Sequence, residues 1–228
     1  MERNSECWYV STCDDDCQGC LVYKQMKWQF DNSGLPKAKY KPIELIATSD
    51  TINSFRRLAD IRKSIEQFVS EGNNLYICGA NPGTGKTSWA IKILQTYFHH
   101  VAVGNYGTVK GMFVQTTGLL LQLKDFNNPI SQEYKDNLFN ADLIVWDDIA
   151  VAGMSAYDYN QLFTIIDRRV LEGKSNIFTS NCSDLQTLSK SLGERLASRV
   201  WSTSERIEIR GGDWRGRTTS DFKNDTNR

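Results

Sequence analysis

Long apolar runs are missing from this sequence. No stretch approaches the roughly 20 apolar residues that carry a helix across a bilayer, and Met1-Glu2-Arg3-Asn4 lacks a signal-peptide core. A membrane-spanning helical protein is thereby excluded, and the expectation is a cytoplasmic chain with no membrane partner. Net charge is missing too. Twenty-seven basic and 27 acidic residues cancel, which rules out a uniformly basic coat for nucleic acid while leaving room for a local basic groove. Internal repeats are absent, and 40% apolar with 24% charged residues is ordinary globular usage. A fibre, a coiled coil and a wholly disordered chain are excluded.

Cysteines are few but unevenly spread. Cys7, Cys13, Cys17 and Cys20 crowd the first twenty residues, whereas Cys78 and Cys182 stand alone and read as small buried hydrophobes. Without an export signal, clustered thiols point to metal rather than to disulfides. The expected organisation is a Cys-rich head over residues 1–45, a linker helix over 46–72, a main domain over 73–216 and a disordered tail over 217–228. Residues 25–50 read as irregular. The linker helix carries apolar positions from Ile52 to Val69 and stops at Gly72.

From Leu75 onward, short apolar runs alternate with helical patterns. The runs lie at 75–78, 111–114, 143–146, 176–179 and 206–209, and the helical segments near 86–99, 117–126, 131–140, 157–171 and 184–201. Strands buried on both faces and separated by helices predict an α/β fold on a mainly parallel sheet, with ligands at the carboxyl ends of the strands.

The sharpest motif is Gly79-Ala80-Asn81-Pro82-Gly83-Thr84-Gly85-Lys86-Thr87-Ser88, directly after a predicted strand and opening a predicted helix. It is a phosphate loop in which Ala80 takes the first glycine position of the usual pattern. Gly83 and Gly85 let backbone N–H groups curl around an anion, and the helix N-terminus adds its positive dipole end. Lys86 would reach the β- and γ-phosphates of ATP, and the Thr87 hydroxyl would bind Mg²⁺. About 60 residues on, Leu143-Ile144-Val145-Trp146-Asp147-Asp148 is a hydrophobic strand ending in carboxylates. Asp147 is placed beside Mg²⁺ and Asp148 beside the attacking water. Trp89 and Trp146 are expected in the core next to this site.

Two further signals follow in order. The strand ending Thr179-Ser180-Asn181 offers Asn181 as a γ-phosphate sensor. Gly193-Glu194-Arg195-Leu196-Ala197-Ser198-Arg199 then sets Arg195 and Arg199 four apart on one helix face. Either arginine suits a finger reaching a neighbouring subunit's nucleotide, with Arg199 preferred.

This order of motifs resembles the AAA+ ATPases of the DnaC-type helicase-loader family, which are related to IstB-type ATPases; the resemblance covers residues 70–215. Gly211-Gly212-Asp213-Trp214-Arg215 resembles the short ending such proteins have in place of a full lid domain, with Arg215 as a second sensor. The family implies a five-stranded parallel sheet, ATP and Mg²⁺, and self-association into a spiral. It also implies delivery of a hexameric replicative helicase to single-stranded DNA. The alternatives are an IstB-like transposition ATPase and a small-molecule P-loop kinase.

Cys7-x₅-Cys13-x₃-Cys17-x₂-Cys20 supplies four thiols, enough for one tetrahedral Zn²⁺. The last three also match an iron–sulfur triplet, so zinc, iron–sulfur and no metal stay open, with zinc preferred. The head is expected to contact the helicase. Candidate contacts to single-stranded DNA are Lys110, Lys124, Arg168 and Arg169. His99 and His100 are expected to act as a positive complement to the C-terminus of the helix after the phosphate loop.

Overall fold

The computed structural model describes residues 20–40, 44–125 and 130–213. Five strands form one parallel sheet in the order β2-β3-β4-β1-β5. They are β1 (Asn74–Cys78), β2 (Gly111–Gln115), β3 (Leu143–Asp147), β4 (Ser175–Ser180) and β5 (Ser204–Glu208). Every pairing is parallel, and β1 lies between β4 and β5. Strand alternation then sorts side chains onto two faces. Leu75, Ile77, Phe113, Val145 and Ile177 pack beneath one helical layer, while Tyr76, Met112, Ile144, Trp146 and Phe178 pack beneath the other. Such two-sided burial explains why these strands read as continuous apolar runs.

The first layer holds α1 (Leu21–Asn32), α2 (Ile52–Lys63), α3 (Ile65–Ser70) and α4 (Lys86–Val101). The second holds α5 (Thr116–Lys124), α6 (Gln132–Asn140), α7 (Ala156–Leu171), α8 (Leu185–Leu192) and α9 (Glu194–Thr203). The predicted α/β class with a five-stranded parallel sheet is therefore the observed one.

Three local expectations are corrected. Residues 25–50 are not irregular throughout, because α1 occupies Leu21–Asn32. Its buried stripe is only Met26, Gln29 and Phe30, too sparse and too polar to register as an amphipathic pattern. The Gln29 amide donates to the carbonyls of Asn105 (3.2 Å) and Thr108 (2.9 Å) and accepts from the Lys110 N–H (3.1 Å). Phe30 meets Phe98 edge-on with ring centroids 5.2 Å apart, and the Tyr40 ring lies tilted against it at 5.1 Å. The Phe113 N–H donates to the Ser33 carbonyl at 2.7 Å, so the chain after α1 covers the outer edge of β2. The described part of the expected head, α1 with Leu35 and Tyr40 after it, thus packs into the same core as the first helical layer.

The expected helix from 52 to 69 is two helices. At Ser64 the backbone opens to φ −107°, ψ 30°, and its N–H is shared between the Asp60 and Ile61 carbonyls. The expected helix over 184–201 also breaks, at Gly193, where φ is +73°. A side chain there would be strained, and its Cβ would stand 3.1 Å from the Tyr159 ring. Residues 217–228 of the expected tail lie outside the described residues.

Candidate nucleotide-binding site

The phosphate loop leaves β1 at Cys78, in the middle of the sheet, and enters α4 at Lys86. Gly79 begins it under an unusual constraint. A Cβ there would sit 2.3 Å from the Ile209 carbonyl oxygen, so only glycine lets the segment after β5 lie this close. That segment is fastened on both sides. The Ile209 N–H donates to the Cys78 carbonyl at 2.7 Å, and the Asn81 amide donates to the Gly211 carbonyl at 2.7 Å. From α2, the Ser54 hydroxyl donates to the Glu208 carbonyl at 2.6 Å.

Ala80, Asn81 and Pro82 form the exposed rim of the loop, Gly83, Gly85, Thr87 and Ser88 are half-buried, and Thr84 and Lys86 are buried. The Lys86 ammonium donates to the carbonyls of Gly79 (2.9 Å) and Asn81 (2.8 Å) and lies 3.4 Å from the Thr84 hydroxyl. A buried cation satisfied by neutral carbonyls is poised to exchange them for anionic phosphate oxygens, which bind it more strongly.

Behind the loop stands Asp147, the last residue of β3 and 7% exposed. Its Oδ1 accepts from the Thr87 hydroxyl (2.7 Å) and from the Thr179 hydroxyl (2.8 Å), and its backbone carbonyl accepts from the Thr116 hydroxyl (2.9 Å). Burial raises the Asp147 carboxyl above the usual range. The two hydroxyls pull it back down, and the neighbouring Asp148 charge pushes it up again. A partly uncompensated carboxylate paired with a threonine hydroxyl at a helix start is the oxygen-donor set that Mg²⁺ takes alongside phosphate oxygens.

Asp148 is exposed and holds a left-handed backbone, φ +48°, uncommon for a residue with a side chain. Its N–H donates to the Thr179 hydroxyl at 2.9 Å, which fixes the turn at the end of β3. Thr179 was not singled out by sequence reasoning. The signal for it is positional: Val145 pairs with Ile177 across β3 and β4, so alternation sets Asp147 and Thr179 on the same face at adjacent strand ends. Asn181 stands exposed just beyond β4.

The other expected residues are placed as follows. Arg195 and Arg199 lie on α9, in the second layer, and make their contacts with Phe163 and Asp167 of α7. Trp89 packs in the first layer against Phe55, with ring centroids 5.1 Å apart. Trp146 is buried in the second layer and donates its indole N–H to the Asn176 side chain at 3.0 Å. Cys78 and Cys182 are buried, as expected. Cys20 is half-buried and caps α1, its Sγ accepting the Tyr23 N–H at 3.5 Å. Cys7, Cys13, Cys17 and Arg215 lie outside the described residues; among the described residues no group of three or more metal-ligating side chains gathers.

One of the candidate DNA contacts, Arg169, needs correction. Arg169 is fully buried and donates to the carbonyls of Leu138, Ala141 and Ser175 and to the Asn176 side chain, at 2.8–3.1 Å. Its position next to Arg168 hid this, because one residue's step on a helix turns the side chain about 100°. Lys124 is bound to the buried Asp158 at 2.6 Å, Lys110 to Asp142 at 3.1 Å, and Arg168 to Glu172 at 2.8 Å. His99 is corrected too. Burial, with His100 and Arg62 nearby, lowers its pKa to about 4, so it is neutral at physiological pH and gives no positive complement to α4. His100 does face an acid, Glu66, at 3.2 Å.

Fold and site together define a P-loop nucleotide-binding protein of AAA+ type. A family model for IstB-like ATP binding proteins matches residues 31–221, and the chain belongs to that family. Among curated proteins it is similar to the replicative helicase loader DnaC of Buchnera aphidicola, 27% identical over 182 residues, covering 77% of this chain and 63% of the relative. It is also similar to DnaC of Escherichia coli K12, 29% identical over 150 residues, covering 63% of this chain and 56% of the relative. The chain thus spans less than two thirds of the length of these relatives. Solved structures share the fold. A DnaC helicase loader superposes with TM-score 0.64 at 21% identity, over 77% of this chain and 100% of that one. DnaI gives 0.60 at 23% identity, over 79% and 94%. The initiator DnaA bound to AMPPCP and single-stranded DNA gives 0.56 at 20% identity, over 73% and 48%.

Proposed function

We propose that the chain is an Mg²⁺-dependent ATPase acting as a loader of the hexameric replicative helicase onto single-stranded DNA. The carrying observation is the convergence of the Thr87 and Thr179 hydroxyls on one carboxylate oxygen of Asp147 behind the phosphate loop. Relatives named as replicative helicase loaders support the biological role. The chemistry divides among named groups. Residues 79–88 cradle the ATP phosphates, and Lys86 turns from its loop carbonyls to the β- and γ-phosphates. Thr87 and Asp147 hold Mg²⁺, which would supply charge neutralisation at the phosphates. Asp148 accepts the proton of the attacking water, and Asn181 orients that water. An arginine from a neighbouring copy, Arg199 in our reading with Arg195 beside it, meets the charge that develops on the transferred phosphoryl group. Arg215 is assigned to the nucleotide as a second sensor. Self-association into a spiral supplies the neighbour, and the role is exercised in the cytoplasm.

The Cys-rich head is assigned Zn²⁺ through Cys7, Cys13, Cys17 and Cys20, and helicase contact. An N–H bond to Cys20 Sγ is the kind of outer contact that supports a ligating thiolate. The decisive experiment is co-elution with the cognate helicase, with ATP turnover followed with and without single-stranded DNA and metal content measured on the same sample. A stable complex, DNA-responsive turnover and one zinc per chain are expected. Absence of helicase binding with DNA-indifferent turnover overturns the loader reading, and a metal-free chain overturns the zinc.

A further inference from the structure

Helices α7 and α9 lie against each other, and each offers the other two residues one turn apart. Phe163 on α7 carries Arg195 on α9, the guanidinium carbon 4.9 Å from the ring centroid. One turn further along both helices, Asp167 carries Arg199, with Nη2 2.5 Å from Oδ1. The two contacts differ in kind. An aromatic face attracts a cation without neutralising it, whereas a carboxylate balances its charge and draws it to one side. The Arg199 side chain is 36% exposed and Asp167 22%, so this pair is partly withdrawn from water, where charge pairing is stronger than at an open surface. Beside it opens a cavity of about 430 Å³ lined by Phe163, Glu194, Arg195, Ser198, Arg199 and Ser202.

We propose that Asp167 is a positioning residue for Arg199. It holds one side of the guanidinium and leaves the remaining N–H donors to the cavity, where they meet a phosphate oxygen of the neighbouring subunit's nucleotide. A guanidinium carries five donors in a rigid planar fork, and one carboxylate engages only part of it. A side chain already held in place loses less freedom when the phosphate arrives than one that swings in solvent. An ammonium at the same point has no fork to divide between two acceptors, so the arrangement is specific to arginine. This inference rests on the arginine-finger reading above.

The test uses the full chain assembled with helicase and single-stranded DNA, with kcat and KM for ATP measured beside melting temperature. Asp167→Asn keeps the shape and removes the charge. It is expected to lower kcat on the order of tenfold, as loss of alignment at a reacting group does, with KM and melting temperature unchanged. Asp167→Glu is expected to restore most of kcat, and Arg199→Lys to fall as far as Arg199→Ala. Full turnover in Asp167→Asn with an inactive Arg199→Ala overturns the positioning role and leaves the finger standing. Full turnover in Arg199→Ala overturns the finger reading itself. Should Asp167→Asn melt too early to assay, Asp167→Glu decides: a kcat as low as that of Arg199→Ala in a folded protein overturns the proposal.

Discussion

Thr179→Val tests whether the hydroxyl behind the phosphate loop organises the carboxylate pair. Valine has nearly the same shape and stays compatible with a strand, so the change removes one oxygen's bonds and little else. That oxygen donates to Asp147 Oδ1 at 2.8 Å and accepts from the Asp148 N–H at 2.9 Å. A hydrogen bond to a charged group contributes about 1.5–3 kcal/mol, and an orphaned N–H costs about 1 kcal/mol where water can partly replace the partner. The expected loss is therefore about 2–4 kcal/mol, which for a chain of this size lowers Tm by roughly 4–16 °C. A second effect has a definite sign. The Thr179 bond holds Asp147 Oδ1 toward the Thr87 hydroxyl, so its removal frees the carboxylate to rotate and weakens its aligned grip on a divalent cation. Half-saturating Mg²⁺ for ATP turnover is expected to rise about tenfold, the lower end of what losing a partner that orients a metal ligand costs. Thr179→Ser, which keeps the hydroxyl, is expected to lose less than about 1 kcal/mol and to keep its Mg²⁺ requirement. Thermal melts and Mg²⁺ titrations of the two variants decide the matter. A valine variant that melts and titrates like the parent would refute the reasoning, because the hydroxyl would then be carrying neither bond.

Arg169→Met is expected to cost about 2–4 kcal/mol, because three carbonyls and the Asn176 oxygen lose a donor while relief of the buried charge returns part of the loss. Arg168→Met is expected to stay within about 0.5 kcal/mol. Urea denaturation measures both, and an unchanged Arg169→Met with weakened DNA binding would reverse the assignment. His99, held near pKa 4 against an ordinary 6.5, makes stability full above pH 6.5. The unfolded chain takes the proton first as pH falls from 6.5 toward 4, so up to about 3 kcal/mol is lost across that window. His99→Gln should flatten this fall in the urea midpoint, and an equally steep fall in the variant would assign it to other groups.

The parts of the site that were legible in the sequence are those carried by consecutive residues. The loop from Gly79 to Ser88 declares itself because turn glycines, a lysine and a hydroxyl must follow one another between a strand and a helix. Asp147 was legible because it ends an apolar run. Thr179 was not, since its role depends on which strand lies beside β3, and strand order is a property of the folded sheet. Arg169 and Arg168 are adjacent, so a linear reading grouped them as surface cations, whereas α7 turns one into the protein and the other out toward Glu172. Helix α1 escaped for a different reason. Its inner face holds a glutamine, and the amide that looks polar in sequence is the group that closes the backbone bonds of residues 105–110.

Asp147 is also a junction in the architecture. Side chains from α4, α5 and β4 bond to this one residue of β3, so the pocket exists only when strands far apart in the chain have already paired. Parallel strands joined through helices assemble late because their contacts are distant in sequence. A ligand that engages Asp147 therefore draws on the folding equilibrium of the whole sheet. Its binding free energy is added to global stability, by RT ln(1 + [L]/Kd). Inside a cell with abundant nucleotide, the working protein would be the liganded one, and a chain starved of nucleotide would be the one exposed to proteolysis.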